Sequence, residues 1–396
     1  MPSLVYHGRG RVVVARIYAG YSPALTRETE SININMKTGI IGLPQVGKTS
    51  LFKILTRADI SHRSSNPREA HIGIATVPDD RLDRLAAQCN PRKLVHAQME
   101  YADVGAIGQE ALKETAYLAN LRGVDALVHV LRVFEDDSIA HVGGALDPIR
   151  DISNVEFDLM VSDLGQVEAR LERMKKDLQK RKTPELEKEN ELLQRAKAFL
   201  ETERPLREME MTKDEKKVVR GFMFLSEKPI LYVLNISEST TLGVDLEAAV
   251  TKYGLTPYTA KPNTGVTAIC GKVEAELAEM SDEEAAEFLE GYGLTESGLA
   301  RLIRKSYELL GLISFFTVGE DECRAWTVEK NTRAQDAAGA IHTDLQKHFI
   351  RAETIHWDML LELGSEAAAR AAGKLRLEGK DYIVQDGDIL HIRHSG

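Results

Sequence analysis

Short apolar runs alternate along this chain with longer amphipathic stretches, the pattern of strands interleaved with helices. Lys37-Thr38-Gly39-Ile40-Ile41 is a brief β-branched run, and Leu51-Phe52-Lys53-Ile54-Leu55 places its apolar residues at helical spacing. Ile72 to Val77 predicts a strand, and a helix is expected from about Asp79. Val95 to Ala102 predicts the next strand, closing on Asp103, and Leu112 to Leu121 predicts one helix. Asp125 to Val133 is a strongly apolar strand, in which His129 is expected as a satisfied core histidine rather than a ligand. Pro229 to Leu234 and Val266 to Ile269 predict two more buried strands. This order predicts a parallel, doubly wound α/β sheet that binds its ligand at the strands' C-terminal ends.

Between about Asp158 and Arg220 the period changes. Leu164, Val167, Leu171, Met174 and Leu178 recur at spacings of three and four amid dense charge, the seam of a coiled coil. Thr183-Pro184 breaks it, and a second charged helix returns through Leu192, Leu193, Ala196 and Phe199. An antiparallel helical hairpin is expected, its tip carrying Lys175, Lys176, Lys180, Arg181 and Lys182. That cluster reads either as a solvated helix face or as a contact for RNA phosphates. From about Leu312 a small α+β unit is expected. Ser314 to Val318, Arg324 to Val328, Leu375 to Leu377, Tyr382 to Val384 and Asp388 to Ile392 predict strands, and Gln335 to His348 one helix. Asp386-Gly387 predicts a hairpin turn, and Arg324, Lys347, Arg351, Arg376 and Lys380 offer cations.

A length of 396 residues allows two or three domains. Hydrophobic content of 43% with 28% charged residues describes a globular chain, and no apolar run reaches the length of a membrane span. The net charge of −10 means that any nucleic-acid contact must come from local basic patches. Cys89, Cys270 and Cys323 lack metal-ligand spacing and read as idle thiols in a reducing cytoplasm. Residues 1–35 show no period and are expected to be a poorly ordered extension, with a targeting peptide as the alternative.

The chemistry concentrates in Gly42-Leu43-Pro44-Gln45-Val46-Gly47-Lys48-Thr49-Ser50, set between a strand and a helix. Such a glycine-framed loop turns successive backbone N–H groups toward one anion at a helix N-terminus. Lys48 would reach the β/γ-phosphates and the Thr49 hydroxyl would ligate Mg²⁺. Asp103, at a buried strand end downstream, stands where a Walker-B acid holds the metal through water. Catalytic roles therefore fall to Lys48, Thr49 and Asp103, and metal binding to Thr49 and Asp103. Nucleotide contacts are expected from Pro44, Gln45, Val46, Gly47, Lys48, Thr49 and Ser50, and from two strand ends, Asn235-Ile236-Ser237-Glu238 and Cys270-Gly271. In G-proteins Asn-Lys-x-Asp at the first of these reads guanine. Here Ile236 and Glu238 replace the Lys and Asp, so guanine specificity should be weak, while the Asn235 amide can still serve the adenine N6/N7 edge.

Met36 to Phe52, Val77-Pro78-Asp79-Asp80-Arg81-Leu82-Asp83, Asn235 to Glu238 and the C-terminal unit together resemble the YchF branch of the Obg-related P-loop NTPases. Phe316-Thr317-Val318-Gly319, Arg324-Ala325-Trp326-Thr327, Ala337 to Asp344 and Gly379 to Asp388 resemble that family's TGS domain, a β-grasp module. The resemblance implies a P-loop sheet with the helical hairpin inserted and a TGS unit appended. The expected divisions are 1–35 extension, 36–157 nucleotide domain, 158–220 hairpin, 221–311 nucleotide domain resumed and 312–396 TGS. It also implies ATP binding at least as good as GTP binding, slow Mg²⁺-dependent hydrolysis, association with the ribosome and its RNA, and a cytoplasmic home. A monomer is expected, with no membrane partner. The family carries a hydrophobic residue, here Ile107, where related enzymes place a water-orienting Gln.

Two departures matter. The family's Asp-x-x-Gly reads Asp103-Val104-Gly105-Ala106, so the γ-phosphate-sensing glycine is displaced or missing. The first-switch threonine aligns near Asn66-Pro67, with Ser64 or Ser65 as substitutes. Gln109, Glu110 and Glu114 are candidates to position water. Two readings follow: a slow ribosome-associated ATPase, or a nucleotide-gated ribosome or RNA-binding module with little hydrolysis.

Overall fold

The computed structural model describes residues 36–57, 70–136, 144–238 and 246–395. The expected extension at 1–35 and the first-switch candidates Ser64, Ser65 and Asn66-Pro67 lie outside the described residues. In chain order the strands are β1 Lys37–Ile41, β2 His71–Thr76, β3 Lys93–Val95, β4 Gln98–Asp103, β5 Ala126–Arg132, β6 Ile230–Asn235, β7 Thr264–Ile269, β8 Leu312–Val318, β9 Glu322–Glu329, β10 Phe349–His356, β11 Arg376–Glu378 and β12 Asp388–His394. The chain forms two compact units: Lys37–Gly73 with Glu100–Lys272, and Ile74–Met99 with Val273–Gly396.

The first sheet has the order β2-β4-β1-β5-β6-β7, and β4, β1, β5, β6 and β7 pair in parallel. Every residue of β5 and β6 is buried, as a parallel sheet covered on both faces requires. The chain leaves β1 toward β4 on one side and returns to β5 on the other. The loop after β1 therefore stands at the switch point where α/β sheets bind ligands.

Two helices, α1 Lys48–Thr56 and α2 Asp80–Cys89, follow their strands as expected, Asp79 capping the second. The segment expected as one helix from Leu112 to Leu121 is instead α3 Gln109–Lys113 and α4 Thr115–Arg122, with Glu114 extended at φ −78° and ψ 121°. In an unbroken helix Leu112 and Leu121 would face opposite sides; the break lets both be buried. The strand expected from Val95 to Ala102 is also two. β3 pairs with β9 and β4 with β1, and the Ala97 carbonyl between them accepts from Val77. Apolar pattern marks a buried strand without saying which sheet it joins.

The hairpin consists of α5 Pro148–Lys180 and α6 Pro184–Leu200, joined at Arg181–Thr183, with the Thr183 hydroxyl capping α6. Val167, Leu171 and Met174 pack against Leu192, Leu193 and Ala196 along the seam. Arg170–Glu189 at 2.7 Å and Lys197–Glu168 at 2.7 Å clasp its flanks. At its root Glu156 of α5 takes both oxygens to the buried Arg207 guanidinium at 2.8 Å and accepts from the Tyr232 hydroxyl of β6. α7 Lys213–Arg220 follows with a complete capping box at Thr212 and Glu215.

In the second unit the sheet order is β11-β10-β12-β8-β9-β3. β8 and β9 form an antiparallel pair and β12 joins β8 in parallel, with Ala334, Ala337 and Ala340 of a helix packed on the inner face. The helix expected from Gln335 to His348 is two, Ala334–Ile341 and Thr343–Lys347. His342 is extended between them and caps the second through its Nδ1 at 3.1 Å from the Asp344 N–H. Tyr382 to Val384 is not a strand: Ile383 makes a single bridge to Arg333. The Asp388 carboxylate accepts from the Tyr382 hydroxyl at 2.8 Å and the Gln385 N–H at 2.9 Å, which curls the segment. Asp386-Gly387 does turn the chain, Gly387 at φ +88°, but into β12, whose antiparallel partner is β10.

Candidate nucleotide site

The loop between β1 and α1 owes its shape to two glycines. Gly42 sits at φ +143°, where a Cβ would meet the Val130 carbonyl oxygen at 2.6 Å. Gly47 sits at φ +99°, where a Cβ would meet Asn235 Nδ2 at 2.6 Å. Only glycine supplies both the backbone freedom and the clearance. Between them Pro44 and Gln45 are exposed, Val46 is buried, and Thr49 and Ser50 open α1 facing solvent. The result is a free helix N-terminus with its amides and positive dipole end presented to an anion.

Lys48 is buried beneath this loop, its Nζ donating to the Leu43 carbonyl. Burial pushes its pKa down to about 8, against the opposing attraction of Asp103. The Thr49 hydroxyl donates to Asp103 Oδ2 at 3.0 Å, so the two expected metal ligands come together. The other Asp103 oxygen accepts from the Gly105 N–H at 3.2 Å, and Gly105 is left-handed at φ +90°. The displaced glycine thus turns the chain back onto Asp103. Ile107 is buried and its N–H donates to the Gly42 carbonyl at 3.1 Å, stitching the segment after Asp103 to the phosphate loop. Among the described residues no three His, Cys, Asp or Glu side chains converge. A hydroxyl and one carboxylate suit Mg²⁺, which takes its remaining ligands from phosphate and water.

Asn235 also has structural partners. It is buried at the end of β6, its Nδ2 donating to the Val46 carbonyl at 3.1 Å and its Oδ1 accepting from the Gly271 N–H at 3.1 Å. Its amide therefore ties the phosphate loop to two strand ends, and one Nδ2 hydrogen is left for a base. Ile236 and Cys270 are buried beside it, while Ser237 and Gly271 are half-buried. The Glu238 carboxylate is held by Lys272 at 2.6 Å, a partner two residues past Cys270 that no motif in the sequence marks.

Of the water-positioning candidates, Gln109 interacts with Asp158 of α5, and Glu110 pairs with Lys113 at 2.6 Å. Glu114 occupies the break between α3 and α4. His129 is buried as expected but is not satisfied, neither ring nitrogen having a hydrogen-bond partner. Burial first, then Lys48 and Arg207, push its pKa down to about 3, so it is neutral. Of the tip cations, Lys175 pairs with Glu172 at 2.8 Å, and Lys176, Lys180, Arg181 and Lys182 are exposed. In the C-terminal unit Arg324, Lys347 and Arg376 pair with Glu322, Asp344 and Asp388.

A parallel sheet with a glycine-framed anion loop at its switch point, a buried lysine and a hydroxyl–carboxylate pair beside it define a P-loop NTPase. The comparisons narrow this. Residues 312–395 match the family model described as YchF-GTPase_C, Protein of unknown function (DUF933). Ribosome-binding ATPase YchF of Bacillus subtilis is 43% identical over 91% of this chain and 99% of its own length. Obg-like ATPase 1 of Oryza sativa is 35% identical over 91% of this chain and 92% of its own. The solved Schizosaccharomyces pombe YchF GTPase superposes with a TM-score of 0.78 at 33% identity, covering 91% of this chain and 98% of that one. The chain belongs to the YchF family.

Proposed function

We propose that this protein binds ATP at least as well as GTP, hydrolyses it slowly with Mg²⁺, and works on the ribosome in the cytoplasm as a monomer. The Thr49–Asp103 contact at 3.0 Å, next to the buried Lys48 and the free N-terminus of α1, is the observation that carries it. Lys48 and the loop amides hold the β/γ-phosphates. Thr49 and Asp103 would hold Mg²⁺, which would supply charge neutralisation for the phosphoryl group. Ile107, buried where related enzymes place a water-orienting Gln, cannot position water, so turnover rests on positioning and stays slow until a partner acts.

Base selection supports adenine tolerance. Glu238 stands in place of the guanine-reading Asp with its Oε2 tied to Lys272, and Ile236 replaces the Lys, so the acceptor that guanine N1–H and N2–H₂ require is weakened. The relatives from Bacillus and Oryza carry ATPase in their names, and the solved yeast structure carries GTPase. The ribosome reading rests on the name of the Bacillus relative and on the exposed cations of the hairpin tip. The C-terminal sheet, taken as a TGS unit, supports recognition rather than chemistry.

The test is phosphate release from ATP, with and without ribosomes, beside Lys48→Ala. Wild type should release phosphate slowly, ribosomes should raise the rate, and Lys48→Ala should be silent. Equal release by both proteins would remove the enzymatic reading and leave a nucleotide-gated binding module.

A further inference from the structure

Cys89 ends α2 and is half-buried; Cys323, the second residue of β9, is fully buried. Both lie in the second unit. After Cys89 the chain reverses at Asn90, left-handed at φ +46°, and enters β3, where Leu94 is the register partner of Cys323. The reversal is pinned by two backbone bonds, Arg92 N–H to the Glu320 carbonyl at 3.0 Å and Lys93 N–H to the Asp321 carbonyl at 3.1 Å. The end of α2 is thereby set against β9, with the Cys89 and Cys323 thiols near enough to influence each other. Cys323 Sγ also lies 3.8 Å from the Gly319 carbonyl. Cys270 sits alone at the end of β7 in the other unit.

We propose that Cys89 and Cys323 form a modification site, a reversible disulfide made when the protein meets a hydroperoxide. The Cys89 thiolate, the sulfur nearer solvent, attacks the peroxide. The O–O bond breaks, the departing oxygen takes a proton and leaves as alcohol or water, and Cys89 becomes a sulfenic acid. The Cys323 sulfur then attacks Cys89 Sγ; the S–O bond breaks, and hydroxide leaves as water with the Cys323 proton. Two thiols and one hydroperoxide yield one disulfide, one alcohol and one water, with two electrons passing from sulfur to oxygen. Burial holds both thiols above the ordinary range, so the reaction is slow near neutrality and quickens about tenfold per pH unit below the thiol pKa. The bridge fastens α2 to β9 and closes the chain into a loop containing all of Glu100–Lys272.

The experiment treats reduced full-length protein with hydrogen peroxide at pH 7 and pH 8, alkylates it, and maps peptides by mass spectrometry. The expected product is monomeric, carries one linked peptide joining Cys89 to Cys323, leaves Cys270 alkylated, and returns to the starting mass with dithiothreitol. Cys323→Ser should stop at a Cys89 sulfenic acid that a dione reagent traps, and Cys89→Ser should give no internal link. The oxidised wild type should melt above the reduced form, a difference Cys89→Ser abolishes. A link to Cys270, intermolecular dimers alone, or both cysteines still alkylated after prolonged treatment overturns the proposal. The wild-type peptide map decides the question even where Cys323→Ser does not fold.

Discussion

Replacing Gly47 by alanine tests the idea that the phosphate loop is held in shape by Asn235. The new Cβ would lie 2.6 Å from Asn235 Nδ2, and the backbone at φ +99° penalises any L side chain. The backbone penalty is about 1–2 kcal/mol. Displacing Asn235 breaks its bonds to Val46 and Gly271, about 1–3 kcal/mol for the two together. Gly47→Ala should therefore destabilise the fold by about 2–5 kcal/mol. Asn235→Ala alone forfeits only the two bonds. In the Asn235→Ala background the added methyl meets open space, and Gly47→Ala should cost only its backbone penalty. A double-mutant cycle read by urea unfolding, followed by far-ultraviolet circular dichroism, should show about 1–3 kcal/mol of non-additivity. ATP affinity should follow the same pattern, at about 1.4 kcal/mol per decade. Additive costs would refute the tether, because they would mean that the methyl never displaces Asn235.

Lys48 gives a pH test: its pKa in the free protein is lowered to about 8, and only the charged form attracts phosphate. ATP affinity should be flat below pH 8 and fall above it, by up to about tenfold per unit, because binding must then take up a proton; titration calorimetry from pH 7 to 10 checks this, and Lys48→Arg should remove the slope. ATP should bind at least as tightly as GTP, by comparison of their dissociation constants; a GTP preference of about a hundredfold, worth about 2.7 kcal/mol, would overturn the reading of Ile236 and Glu238. Converting Lys180, Arg181 and Lys182 to Gln should weaken ribosome binding and flatten its dependence on salt, as sedimentation at graded KCl would show; an unchanged profile leaves them as a solvated helix face. Asp103→Ala should abolish the Mg²⁺ dependence of ATP binding, measured with and without chelator.

Local chemistry was readable from the chain because it is written in contiguous residues. Gly42 to Ser50 between a β-branched run and an amphipathic helix has one compact realisation, and Thr183-Pro184 inside a heptad pattern has few besides a helical turn. The breaks at Glu114 and His342 were not legible, since each is fixed by which leucine must reach the core or which side chain caps the next turn. β3 and β4 looked like one strand for a related reason: hydrogen-bond partners far away in sequence assign them to different sheets. Asn235 reads as a base contact from its motif, and only the assembled strand ends show that its amide also buttresses Val46 and Gly271. Glu238 meets Lys272, and Cys89 meets Cys323, only once the strand ends are assembled. Periodicity and turn chemistry, acting over a few residues, determined the elements and the anion loop. Register and packing, which join residues hundreds of positions apart, decided which polar groups are already spent and which are left for a ligand.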